Sequence, residues 1–207
     1  MVIVLYLTIN MGGVEMVFNK AKLVLLVFIT LFLLPNISVA DRFSNLNLVV
    51  QWKGKGGFEF PSGKIANLLP PGAGGCFVTD MVNPKTGWTI GKGYDCLLGA
   101  PNPVGDGGGF TITTAYVLEF KNQGTIVTVN NVTVQPALDA PPEETGITHI
   151  VGDFPAEQTI YSGSRRFKKA EGSVRVSGGN DLRELDLLSP ETSFITFDYL
   201  FVVSFDD

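Results

Sequence analysis

The chain has a single histidine, His149, and only two cysteines, Cys76 and Cys96, in 207 residues. With the two cysteines expected to pair with each other, one imidazole leaves only carboxylates to complete the three or four ligands of an ordinary zinc site, so no metal is expected. One histidine also leaves one candidate base for a Ser-His-Asp triad. No Gly-x-Ser-x-Gly elbow leads into a helix to supply the nucleophile. The run Gly105-Asp106-Gly107-Gly108-Gly109 lacks the Lys-Ser/Thr pair that completes a P-loop and does not repeat as calcium-binding nonapeptides do. It reads as a turn. Positive charge is scarce as well: the formal net charge is −5. That argues against nucleic acid and anionic membrane surfaces as partners, because both select a positive field.

Long apolar runs are missing except near the N-terminus. Lys20 and Lys22 precede the apolar stretch Leu23–Leu34, Pro35 breaks it, and Ser38-Val39-Ala40 offers small residues to a signal peptidase. This is the tripartite pattern of a secretory leader. About twelve apolar residues are too few for the ~20 that a spanning helix needs. The expected product is an exported protein, secreted or periplasmic, free of the membrane after cleavage at Ala40. Residues 1–15 form an extension ahead of that pattern. Gly12-Gly13, two codons before Met16, can be encoded by a purine-rich ribosome-binding tract, which points to a bacterial start at Met16 and a leader over residues 16–40. Loss of Glu15, Lys20 and Lys22 leaves 13 basic and 19 acidic residues in 41–207, a net charge of −6. In an oxidising compartment an even, closely spaced cysteine pair most simply forms one disulfide, Cys76 to Cys96.

Residues 41–207 suit one domain with a real core. They alternate apolar and polar residues instead of turning with helical period. Strands are expected over Leu46–Trp52, Cys76–Val82, Phe110–Lys121, Thr125–Val134, Ile147–Gly152, Thr159–Ser162, Gly172–Ser177, Leu182–Leu188 and Ser193–Phe205. Only Arg165–Ala170 reads as a helical turn. Pro70–Gly75 and Gly99–Gly109 read as loops. Short strands with turns between them imply a sandwich or a barrel. The last strand favours closure: Ile195, Phe197, Tyr199, Phe201, Val203 and Phe205 share one face, and Phe194, Leu200 and Val202 make the other half apolar. An open edge of that kind invites aggregation. Its outer face is expected to be buried in a homo-oligomer.

The C-terminal half carries a resemblance. Gly146-Ile147-Thr148-His149-Ile150-Val151-Gly152 leads to Tyr161-Ser162-Gly163-Ser164-Arg165-Arg166-Phe167-Lys168-Lys169-Ala170-Glu171-Gly172. With the closing aromatic strand Phe197-Asp198-Tyr199-Leu200-Phe201, this block resembles the signature of allene oxide cyclase-like and dirigent-like proteins. It departs at Tyr161-Ser162-Gly163-Ser164, where those proteins usually read Gly-Gly-Thr-Gly, and the disulfide-bearing half has no counterpart. The resemblance implies one antiparallel β-barrel of eight or so strands, often oligomeric, with an apolar cavity and no cofactor. The motif also has a purely structural reading. Gly163 permits a tight turn, Phe167 plugs the barrel end, and Ala170 and Gly172 let the next strand start close to its neighbours.

Two functions follow. In the first, a secreted barrel binds an apolar small molecule and steers its cyclisation, isomerisation or coupling by cavity shape. In the second, the same barrel is a non-catalytic, lipocalin-like carrier or a structural exported protein. Carboxylates within apolar strands are the candidate catalytic groups: Asp198, and Glu119 on the face with Thr113, Ala115 and Val117. Such a group inside a cavity has a raised pKa and can shuttle a proton; on the other face it meets solvent. Arg175, His149 and Tyr199 are candidate ligand-binding partners. Arg165, Arg166, Lys168 and Lys169 form the one dense basic cluster, either a solvated turn or a grip for an anion at a cavity mouth.

Overall fold

The computed structural model describes residues 6–11, 14–19, 47–104, 109–137, 146–152, 159–186 and 188–206. The chain divides into two compact units, Met1–Ser38 and Val39–Asp207. The first holds an antiparallel pair, β1 (Tyr6–Met11) and β2 (Val14–Asn19). The leader's apolar stretch Leu23–Leu34 and the cleavage point at Ala40 lie outside the described residues.

The second unit contains β3 (Asn47–Glu59), a helical turn α1 (Gly63–Ala66), β4 (Cys76–Val82), β5 (Thr89–Leu97), β6 (Asn102–Val104), β7 (Gly109–Phe120) and β8 (Gly124–Pro136). Then come β9 (Ile147–Gly152), β10 (Ile160–Gly163), β11 (Gly172–Asp181) and β12 (Phe194–Phe205). Each strand pairs antiparallel with the next stave in sequence, and β12 returns to pair with β3. The result is a closed antiparallel eight-stranded barrel. Two staves are broken: β5 and β6 pair with successive stretches of β7, and β10 and β9 with successive stretches of β8. Closure pairs β12 on both sides, with β11 and β3, and so removes the unpaired backbone edge that invites aggregation.

Period-two alternation decides the interior. Trp52, Met81, Tyr116, Leu118, Ile126, Ile150, Phe197, Tyr199 and Phe201 are fully buried in one inward cluster. A second cluster lies on the outer wall, where Ile65 of α1 packs on Cys76, Cys96, Ala115, Val117 and Val127. The segment after α1 is tied down by the Ser162 hydroxyl, which donates to the Leu68 carbonyl at 2.7 Å.

Cys76 and Cys96 face each other across β4 and β5 and are joined. The twenty-residue span they close predicts that Cys76→Ala/Cys96→Ala lowers stability by about 3 kcal/mol. Urea unfolding of the oxidised protein against the double variant measures it; equal midpoints would refute the assignment of a stabilising role.

Two expectations about strands are corrected. The described residues of the expected strand Leu182–Leu188 form none; Leu182 and Leu185 are partly buried and pack inward from the β11–β12 connection. Conversely, β5 carries glycine at inward positions 91 and 93, so it shows no apolar alternation, yet it is a barrel strand paired with β4 on one side and β7 on the other. The glycines leave room for a neighbour: a Cβ on Gly93 would stand 2.1 Å from the Trp52 indole.

Candidate functional site

The barrel interior differs along its axis. At the end of the β7–β8 turn, Phe167 is a plug, with Phe120 at 5.3 Å and Phe205 stacked at 6.2 Å between ring centroids. The residues expected to shape that turn do so: a Cβ on Gly163 would meet the Phe167 carbonyl oxygen at 2.1 Å. The middle is filled by Trp52, which packs against Phe201 at 4.4 Å, Tyr116 at 5.5 Å and Tyr199 at 6.1 Å. The opposite end is hollow.

That cavity measures about 110 Å³. Its walls include Phe77, Ile112, Val132, Val134, Ile150 and Ile195, with Pro101, Leu182 and Leu185 also lining it. Into this apolar shell project Asp95, Thr114, Tyr116, Asn180 and Tyr199. Asp95 is only 9% exposed, and its carboxylate accepts one hydrogen bond, from the Thr114 hydroxyl at 2.6 Å. Burial disfavours its charged form more than that bond favours it, and its pKa is pushed up from 3.8 to about 6. Burial, reinforced by the Asp95 charge, holds the Tyr116 and Tyr199 hydroxyls well above their ordinary value. Both therefore stay neutral hydrogen-bonding phenols. The Asn180 side chain bonds the Tyr199 hydroxyl, while its own carbonyl oxygen Oδ1 is buried without a partner. The hydroxyl of Thr148, directly opposite Asn180 on β9, is likewise buried and unpartnered. Buried polar atoms without partners are uncommon; the Trp52 Nε1 in the packed middle is a third, but Asn180 is the one that also lines the cavity.

Of the candidate residues read from the sequence, only Tyr199 reaches this cavity. The inward residues of β12 are the odd-numbered ones, so Asp198 is exposed on the outer wall, where the Gln51 amide donates to it at 2.6 Å. Glu119 is half-buried on the outer wall of β7 and accepts a hydrogen bond from the Tyr94 hydroxyl at 3.0 Å. Arg175 and His149 also point outward and are exposed. His149 and Asp198 do share a shallow outer depression floored by Gly178 and Gly179. The basic cluster at 165–169 belongs to the plugged end and not to the mouth of the cavity. Asp95 escaped the sequence reading because β5 itself did: between Gly93 and Leu97 it shows no apolar frame that marks it as inward.

Among the described residues no group of three or more histidine, cysteine, aspartate or glutamate side chains gathers to hold a metal. What the cavity offers is an apolar enclosure with one carboxyl that changes charge near neutral pH, two neutral phenols and an amide carbonyl seeking a donor. No family model, curated protein or solved structure matches this chain.

Proposed function

We propose that the barrel binds a compact apolar molecule, or the apolar end of a longer one, with its polar group against Asp95, and that it steers an isomerisation or cyclisation there without a cofactor. The observation that carries this reading is the buried Asp95 carboxyl facing an apolar cavity that the orphaned Asn180 carbonyl also lines. Apolar walls hold a hydrocarbon body, and a few placed polar groups orient it. A carboxyl titrating near neutral pH both accepts and returns a proton at working pH. The C-terminal resemblance to allene oxide cyclase-like and dirigent-like barrels agrees with this reading, as does the export expected from the leader, to a compartment that tolerates a disulfide. The volume limits the ligand: about 110 Å³ is less than the ~150 Å³ cavity known to admit benzene. A six-membered ring therefore enters only if Leu182, Leu185 or Pro101 yields.

The test uses the smaller rings cyclopentanone and cyclopentane as probes. Cyclopentanone is expected to raise Tm and to exchange its α-hydrogens for deuterium in heavy water faster with protein than without. Asp95→Asn should abolish the exchange. Binding without exchange, lost on Ile150→Trp, would transfer the assignment to the carrier reading, which the aromatic filling of the barrel's middle favours. No stabilisation by either probe would sink both.

The same proposal includes self-association. Val49, Phe194 and Leu200 on neighbouring strands β3 and β12 expose large apolar side chains, 37% to 41% accessible. A second copy covering them gives the homo-oligomer expected of this wall. Light scattering at micromolar concentration should report at least a dimer, and Leu200→Glu should dissociate it; a monomeric wild type counts against it.

A further inference from the structure

A second site lies outside the barrel. Between the α1 segment and the plugged end runs a groove of about 680 Å³, lined by Lys64, Lys92, Lys121 and Arg165 together with Asn122 and Ser164. The four cations come from four separate parts of the chain: α1, β5, the β7–β8 turn and the turn after β10. The one carboxylate in the lining is Glu119, already engaged by Tyr94. On a protein of net charge −5, this is a local reversal of sign, and a concave wall concentrates such a field.

Backbone geometry singles out the same place. Asn122 (φ 62°) and Arg165 (φ 51°) are the non-glycine residues with positive φ among the described residues, and both line the groove. Asparagine tolerates that conformation in a turn; for arginine it is strained and persists only where the surroundings hold it. Here they do. The Ser164 amide donates to the Thr125 carbonyl at 2.9 Å, the Thr125 amide to the Ser164 hydroxyl at 3.1 Å, and the Arg166 amide to the Gln123 carbonyl at 3.2 Å. Gly124 packs so closely that a Cβ there would meet the Ser164 carbonyl oxygen at 2.3 Å. The turn is clamped onto its neighbour, with Arg165 in the lining of the groove.

We propose that this groove is a binding site for a small polyanion, a molecule bearing several carboxylate, sulfate or phosphate groups. Guanidinium and ammonium groups spaced around one concavity match multiple oxyanions through charge-assisted hydrogen bonds. The Asn67, Asn122 and Ser164 side chains supply neutral donors beside them.

Titration calorimetry at low salt with citrate, tripolyphosphate and sucrose octasulfate tests it, with sucrose as the uncharged control. At least one polyanion should bind, weakening as salt rises, and the one preferred identifies the anion class. Arg165→Gly and Lys92→Gln should each weaken that binding about tenfold. Arg165→Gly relieves the strained backbone, so its Tm should hold or rise while binding falls, an outcome a purely structural Arg165 would not produce. Lys53→Gln, on the outer wall of β3 away from the groove, should change nothing. Absence of binding by all three polyanions, equal binding of sucrose, or binding unmoved by Arg165→Gly and Lys92→Gln would each overturn the assignment.

Discussion

Above about pH 7 the Asp95→Asn protein is expected to be more stable than the wild type by about 3 kcal/mol, and near pH 4 the two should converge. The folded-state pKa of Asp95 is raised from 3.8 to about 6 by burial. Below the unfolded value the carboxyl is protonated in both states and folding is unaffected. As pH rises from about 4 to about 6, the unfolded chain releases the proton while the folded chain keeps it, so stability falls. Above about 6 the buried charge is present and the full penalty of roughly 2 pKa units, about 3 kcal/mol, persists. Asparagine keeps an oxygen to accept from the Thr114 hydroxyl at 2.6 Å and carries no charge to bury. Urea unfolding of both proteins across this pH range is the measurement. A wild-type stability that is flat from acid to neutral pH, or an Asp95→Asn protein less stable at neutral pH, would refute the assignment of a destabilising buried carboxyl.

Gly93→Ala should destabilise the barrel by about 3 kcal/mol or more, the upper part of the range for overpacking. The added methyl would stand 2.1 Å from the indole ring of Trp52 and 2.4 Å from its Nε1. Trp52 has no room to retreat, since Phe201, Tyr116, Phe197 and Tyr199 surround it within 6.1 Å. Close-packed interiors do not absorb a shift of that size without a rotamer change or a displaced strand. Shortening the neighbour should relieve the clash, so Trp52→Phe in the Gly93→Ala background should cost less than Trp52→Phe alone. The coupling in that double-mutant cycle is the readout. Additive effects would mean that glycine at 93 serves the strand and not the indole.

Much of this architecture is legible in the residues. The alternation of β12, from Ile195 to Phe205, announces a strand with one fully buried face, and the structure buries that face throughout. The cysteine spacing announces a disulfide, and Phe167 in its glycine-flanked turn announces a plug; both are found. Alternation is a local property, carried by each strand alone, so the sequence states it directly.

Which alternating face becomes the inside is a different kind of fact. Asp198 and Glu119 interrupt apolar strands as conspicuously as any residue here, yet register turns both outward. Asp95 sits between glycine-bearing and disulfide-bearing positions of β5, with nothing local to mark it, and closure of the barrel carries it inward opposite Phe77 and Tyr116. The groove cations repeat the point. Lys64, Lys92, Lys121 and Arg165 are far apart in sequence and meet only because α1 is folded back over the outer wall. The sequence by itself determined the strand class, the disulfide and the plug, because each depends on neighbours in the chain. The tertiary structure alone decided the cavity and the groove, because electrostatics and enclosure depend on distances in space between residues that the chain keeps apart.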